Sequence, residues 1–357
     1  MVLPSPPDGS FASDNAAGVA PQVMDALDAA NAGPALAYGD DRWTDAAVTA
    51  IREHLDSPVE VVLCWGGTGA NVVGLASLLQ PWQSVLTVDS AHIVVDECGA
   101  PARFTGSTIT SVPPVDGKLR PEALDPYVAW LGTEHHPQPA VLSISQVTEM
   151  GTVYSVDEIA TLCDHAHHHG LLVHLDGARI ANALVALGTD LITMVRDTGV
   201  DVMTMGFTKV GAMSAEAVVH LSPERAEHLR FVRKQAGQLP SKARFVAAQI
   251  TALLADDLWL DLAGHANEMA QVLAERTGAI AGVELGGPPQ ANALFPMIPA
   301  AAVAPLQEWS FFWPWDPVRS QVRWMTSFAT TSGDVDRFAA GVAAVLANDG
   351  TARGTPP

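Results

Sequence analysis

The sequence predicts an α/β fold: a mostly parallel sheet covered by helices, followed by a smaller α+β domain. Three observations carry this. Short apolar runs alternate with helical patterns through the middle of the chain, which implies crossover connections between parallel strands. The longest apolar stretches, such as 61–65 and 141–144, are strand-sized. None approaches the roughly 18–20 residues that span a bilayer. Beyond Gln238 the texture changes to helical patterns and short strands separated by Gly/Pro loops.

Taken in order, residues 1–10 are rich in Pro, Ser and Gly and read as a tail. They lack the basic and apolar regions of a signal peptide. Residues 59–65 read as a strand, Gly66 to Gly69 punctuate it, and 70–79 read as a helix. Strands follow at 84–88 and 139–144. Residues 156–169 read as a helix with Asp157 and Glu158 in its first turn. Strands at 171–175, 200–205 and 217–221 continue the alternation. Helices are then expected at 244–258 and 265–277, short strands at 282–285, 293–299 and 322–327, and a last helix at 334–346. Residues 286–289 and the Trp-rich 309–316 read as loops, the tryptophans packing the small domain. The expected organisation is a tail 1–10, a large domain 11–238, a small domain 239–348 and a disordered tail 349–357.

Charge excludes whole classes of partner. The chain has 39 acidic against 19 basic residues, a formal charge of −20. Nucleic acid and anionic membranes both require clustered positive charge, so neither is expected. The three cysteines, Cys64, Cys98 and Cys163, make no disulfide framework and no metal pair. A reducing, cytoplasmic location is the simpler expectation. Only four lysines occur: Lys118, Lys209, Lys234 and Lys242.

Three segments can carry chemistry, because ligands of parallel sheets sit beyond the carboxyl ends of strands. Gly66-Gly67-Thr68-Gly69 follows a strand and opens a helix. It reads either as a plain turn or as a phosphate cradle, since backbone N–H groups at a helix start favour anions. Asp176 ends the strand His174-Leu175-Asp176. It reads either as a helix cap or as a paired, functional carboxylate. Lys209 follows the strand Met203-Thr204-Met205. It reads either as a surface lysine or as a desolvated Schiff-base nucleophile. Pyridoxal phosphate needs these three things together: an anion site, a carboxylate for its ring nitrogen and a lysine for its aldehyde.

Further motifs extend the pattern. They are Phe11-Ala12-Ser13-Asp14-Asn15, Ala37-Tyr38-Gly39-Asp40-Asp41-Arg42-Trp43-Thr44, and Ala91-His92 followed by Asp96-Glu97-Cys98-Gly99-Ala100-Pro101. Gly151-Thr152-Val153-Tyr154, Leu175-Asp176-Gly177-Ala178-Arg179, Thr208-Lys209 and the run from Lys234 to Lys242 complete it. In this order the chain resembles the low-specificity L-threonine aldolases of the β-eliminating lyase group, from about residue 11 to 346. The resemblance implies a seven-stranded sheet of the aspartate-aminotransferase fold (fold type I) and pyridoxal 5'-phosphate as cofactor. It implies retro-aldol cleavage of β-hydroxy-α-amino acids to glycine and an aldehyde. It also implies roles. Lys209 anchors the cofactor, Asp176 meets its ring nitrogen, and Gly67, Thr68 and Gly69 hold its phosphate. His92 stacks on the ring. Ser13, Arg179 and Arg323 clamp the substrate carboxylate. A homodimer or homotetramer is implied, with Tyr38 and Lys242 serving the neighbouring subunit and Lys242 standing in for a phosphate-binding arginine.

The chain departs from the family where many members carry Asn-Thr-His-Asn. Here the segment is Val147-Thr148-Glu149-Met150. The base for the substrate hydroxyl is therefore His92, Glu149 or a held water. The alternative functions are β-elimination, or a non-catalytic cofactor-binding relative. No metal site is expected. His165, His167, His168 and His169 read as a solvated helix end, since no carboxylate or cysteine stands at matching spacing.

Overall fold

The computed structural model describes residues 3–352. The chain divides into two compact units, Val19–Trp259 and the segments on either side of it. The division falls after Trp259 rather than after Gln238. Helix Arg244–Leu254 packs on helices Pro21–Ala30 and Arg42–Leu55, and so belongs with the larger unit.

The larger unit is built on a seven-stranded sheet in the order β1-β7-β6-β5-β4-β2-β3. The strands are β1 (Glu60–Cys64), β2 (Gln83–Val88), β3 (Thr108–Val112), β4 (Gln138–Ser145), β5 (Leu172–Gly177), β6 (Val202–Gly206) and β7 (Glu216–His220). β7 runs antiparallel to both of its neighbours, β1 and β6. The pairs from β6 to β3 are parallel. Six of these strands match the apolar runs in the sequence. β3 does not, because Thr-Ile-Thr-Ser-Val is an edge strand with only its last residue buried. It carries no apolar alternation for a sequence reading to detect.

Local signals position the helices. Ser155 and Glu158 form a reciprocal capping box at the start of helix Val156–His168. Asp41 caps helix Arg42–Leu55 by accepting from the backbone of Trp43 and Thr44. Helix Gly67–Ala76 begins on the glycine turn after β1. It packs Ala70 and Val73 against Val62, Val202 and Val218 of the sheet. No helix among the described residues is long and apolar enough to cross a membrane.

The smaller unit holds a three-stranded antiparallel sheet, β8 (Ala293–Leu294), β10 (Gln321–Met325) and β9 (Trp313–Asp316), in the order β8-β10-β9. Part of the expected Trp-rich loop is therefore edge strand β9. The expected strand at 282–285 is reduced to a single bridge, Glu284 to Met297. Phe11, Phe312, Trp324 and Phe338 form the core, with Phe11 and Phe338 ring centroids 4.3 Å apart.

The expected N-terminal tail is pinned from residue 3 onward. Leu3 packs on this core, and Trp309 Nε1 donates to Pro4 O at 2.8 Å. The backbone N–H groups of Asp8 and Gly9 donate to Asp334 Oδ1 at 3.0 and 3.1 Å. At the other end helix Ser332–Ala352 runs through 349–352, which the sequence reading assigned to a tail. The remainder of that tail lies outside the described residues.

Candidate active site

Five strands of the larger unit point their carboxyl ends at one region. β1 delivers the glycine turn, β2 leads to His92, β4 ends on Ser145, β5 carries Asp176, and β6 leads to Lys209. Asp176 pairs in register with Ser145 on one side and Thr204 on the other. Gly206 permits the close fit between the ends of β5 and β6. A Cβ there would lie 2.7 Å from the backbone of Ala178.

A connected polar network crosses the region. His92 Nδ1 lies 2.8 Å from Glu97 Oε1. That oxygen also accepts from Asn71 Nδ2 at 2.8 Å. The same Nδ2 donates to Asp176 Oδ2 at 2.8 Å, and Ala178 N donates to Asp176 Oδ1 at 3.0 Å. Glu149 joins from the other side. Its Oε1 accepts from His92 N at 2.8 Å and from Ser145 Oγ at 2.7 Å.

The electrostatics of the network favour retained protons. The hydrogen bond to Glu97 raises the His92 pKa against the effects of burial and the Lys209 charge. Burial raises Glu97, and its bonds to His92 and Asn71 offset this only in part. The pair therefore holds its shared proton more firmly than either group does in water. Burial raises Glu149 as well, against the bond from Ser145. Glu216 opens the antiparallel strand β7, near enough to Lys209 to feel its charge. Burial raises it despite hydrogen bonds from Thr208 and Phe207 N and the charge of Lys209.

The region suits pyridoxal phosphate on its donor chemistry. Gly67, Thr68 and Gly69 form the first turn of a ten-residue helix, so their N–H groups have no partner within it. Gly69 lets the Gln238 side chain approach closely: a Cβ there would lie 2.0 Å from it. Asp176 presents a buried, oriented carboxylate. Lys209 and Asp176 both lie near enough to His92 to act on its charge. Buried oxygens Asn71 Oδ1, Glu97 Oε2 and Glu149 Oε2 have no hydrogen-bond partner among the described residues.

The structure thus brings together Gly67, Thr68, Gly69, His92, Glu149, Asp176 and Lys209, with half-buried Arg179 two residues past the end of β5. Lys242 is exposed; the segment carrying it meets the glycine turn through Gln238 instead. Tyr38 is half exposed, at φ 64°, and its N–H donates to Ser241 O at 3.0 Å. Ser13 and Arg323 belong to the smaller unit, where Arg323 Nη2 donates to Ala12 O at 3.1 Å. Ser13 Oγ accepts from Asn15 N.

Sequence reasoning assigned no role to Glu97, Asn71 or Glu216. Glu97 lies inside a motif after β2, and Asn71 two residues past the glycine turn, without a partner along the chain to give either meaning. Glu216 carried a usable signal: an acid opening an otherwise apolar strand is rarely buried without a reason.

The chain is similar to known proteins over most of its length. A family model described as beta-eliminating lyase matches residues 10–298. A low specificity L-threonine aldolase of a Pseudomonas species is 38% identical over 340 residues, covering 94% of this chain and 97% of its own length. That of Pseudomonas aeruginosa is 39% identical over 305 residues, covering 85% and 88%. The threonine aldolase structure of Leishmania major superposes with TM-score 0.88 at 30% identity, covering 94% of this chain and 99% of its own. An aspartate aminotransferase of Thermus thermophilus shares the fold with TM-score 0.71 at 16% identity, covering 96% and 91%. With a family match across its whole sheet and relatives of this coverage, the chain belongs to the beta-eliminating lyase family.

Proposed function

We propose that this chain catalyses pyridoxal-phosphate-dependent retro-aldol cleavage of β-hydroxy-α-amino acids to glycine and an aldehyde, as a carbon–carbon lyase of the threonine aldolase type. The observation that carries this is the convergence of His92, Asp176 and Lys209 with a helix-start anion cradle at one end of the sheet. Lys209 would hold the cofactor aldehyde, Asp176 its ring nitrogen, and Gly67, Thr68 and Gly69 its phosphate, while His92 stacks on the ring. When bound, the cofactor supplies an electron sink for the pair released at Cα.

The chain's own residues do the rest. Arg179 offers the forked donor that suits a substrate carboxylate. Ser13 and Arg323 are proposed for the same class of anion. The base takes the β-hydroxyl proton, the Cα–Cβ bond breaks, the aldehyde departs, and the pair left at Cα is then protonated. We assign the base to His92. Glu97 occupies Nδ1, which leaves Nε2 to receive the proton. Glu149 is raised by burial and already accepts from His92 N and Ser145 Oγ, so it serves as a positioning group.

The proposal extends to a small amino-acid substrate, a cytoplasmic location and a homodimer or homotetramer. Three free cysteines favour a reducing setting. Half-exposed Tyr38 and Trp65 flank the glycine turn and the Ser241 segment, an apolar surface suited to a second copy bringing its own Tyr38 and Lys242.

A product assay with threonine and phenylserine tests the reading. Glycine plus acetaldehyde or benzaldehyde is expected. Lys209→Ala should lower kcat/KM by about three orders of magnitude or more and remove the cofactor's protein-bound absorbance. An α-keto acid plus ammonia instead would indicate elimination. Full turnover by the variant would sink the assignment of Lys209.

A further inference from the structure

His165 and His169 lie on the last turn of helix Val156–His168 and at its cap. A spacing of four places them on one face. Their ring centroids are 4.9 Å apart. The third group comes from elsewhere in the same unit. Asp125 opens the short helix Asp125–Val128, and the turn before it, Pro121–Ala123, packs on the histidine-bearing helix. Asp125 Oδ1 lies 3.1 Å from His165 Nε2. That nitrogen is buried, yet no hydrogen bond satisfies it among the described residues. The carboxylate is near but out of line for a proton, as two ligands of one ion would be.

One ligand atom from each of Asp125, His165 and His169 lies within 4.8 Å of the other two. Donors on a tetrahedral zinc at about 2.1 Å are roughly 3.4 Å apart, so modest side-chain rotation closes the set. The Asp125 side chain is 62% exposed and has the freedom to make that rotation. The neighbouring histidines are otherwise arranged. His167 Nε2 is 2.9 Å from Asp201 Oδ2, and His168 turns its ring edge-on to His169 at 5.1 Å.

We propose that Asp125, His165 and His169 form a site for a borderline divalent transition metal of the Zn2+ class, with water as the fourth ligand. Two imidazoles and one carboxylate select such ions over Mg2+ and Ca2+, which take oxygen sets. His169 lies before the amino end of β5, whereas Asp176 is near its carboxyl end. The site is therefore structural. It ties the connection between β3 and β4 to the helix that leads into β5.

The test is a Zn2+ titration of the chelator-stripped, cofactor-loaded enzyme against a chromophoric competitor. The unaltered protein should bind one more equivalent per chain than the His165→Ala/His169→Ala variant. Its unfolding midpoint should rise with Zn2+ while that of the variant does not. Asp125→Asn should weaken binding by about tenfold or more. Equal uptake by the unaltered and doubly substituted proteins would overturn the proposal. So would displacement of the bound Zn2+ by an excess of Mg2+.

Discussion

Two sets of buried carboxylates in this molecule behave in opposite ways. In the larger unit, burial raises Glu97, Glu149 and Glu216. In the smaller unit, burial works on Asp334 in the same direction, but hydrogen bonds from Thr331, Gly9 N and Arg337 overcome it and hold the carboxyl well below the usual range. The difference lies in donors. Asp334 Oδ1 accepts from Asp8 N, Gly9 N and Arg337 Nη2, and its Oδ2 accepts from Thr331 N and Thr331 Oγ1. Glu97 and Glu149 each leave one buried oxygen without a partner among the described residues. A carboxylate with every lone pair satisfied is a clamp. One left short of donors holds its proton to a higher pH and is open to a ligand or a reaction.

The largest effect expected from this contrast is catalytic. Glu97→Gln should lower kcat/KM by about 10²-fold with little loss of stability. His92 should lose its upward shift, so the limb of the pH–rate profile that reports it should move to lower pH. An unmoved limb would break the link between Glu97 and His92. Next in size is Asp334→Ala. It should cost about 2–3 kcal/mol in denaturant unfolding, because it removes acceptors from the N-terminal segment and the helix start together. Turnover per folded molecule should be retained. A stability loss in Glu97→Gln to match that of Asp334→Ala would erase the distinction.

The smallest effect is the sign of pH dependence. His92 is raised above 6.5, so its contribution is complete below that value and is lost as pH rises through the folded pKa. Raised carboxyls act in the same sense: folded protein keeps protons that unfolded chain releases above about 4.5. Asp334 acts oppositely, stabilising above 3.8 and losing this as pH falls through its folded pKa. Unfolding free energies between pH 5 and 8 should therefore show a smaller slope in Glu97→Gln. Asp334→Asn should leave that slope alone and flatten only the acid side. The same slope in all three proteins would refute the assignment of the shared proton.

Much of the fold was legible because its signals are local. The apolar runs of β1, β2 and β4 to β7, the glycine turn after β1 and the acidic first turn at Asp157 and Glu158 are each read within a few residues. β3 was lost because an exposed edge needs no apolar face. β9 was lost because a Trp-Pro-Trp-Asp strand looks like a loop until its partner β10 is known. The N-terminal segment looked like a tail because its hydrogen-bond partners, Asp334 and Trp309, lie some three hundred residues away in the chain.

By itself, the sequence determined the strand-end candidates Asp176 and Lys209, the helix-start cradle at Gly67–Gly69, and the family to which their order points. Each depends on periodicity, punctuation and residue type along one stretch of chain. Only the tertiary structure decided that Glu97 takes His92, that Asn71 bridges Glu97 to Asp176, and that Glu216 lies within reach of the Lys209 charge. It also set Asp125 against His165 and Gln238 against the glycine turn. His92 and Glu97 are only five residues apart, and their pairing depends on how the chain turns after β2; Asn71 meets Asp176 and Asp125 meets His165 only through strand order. No local pattern encodes that order.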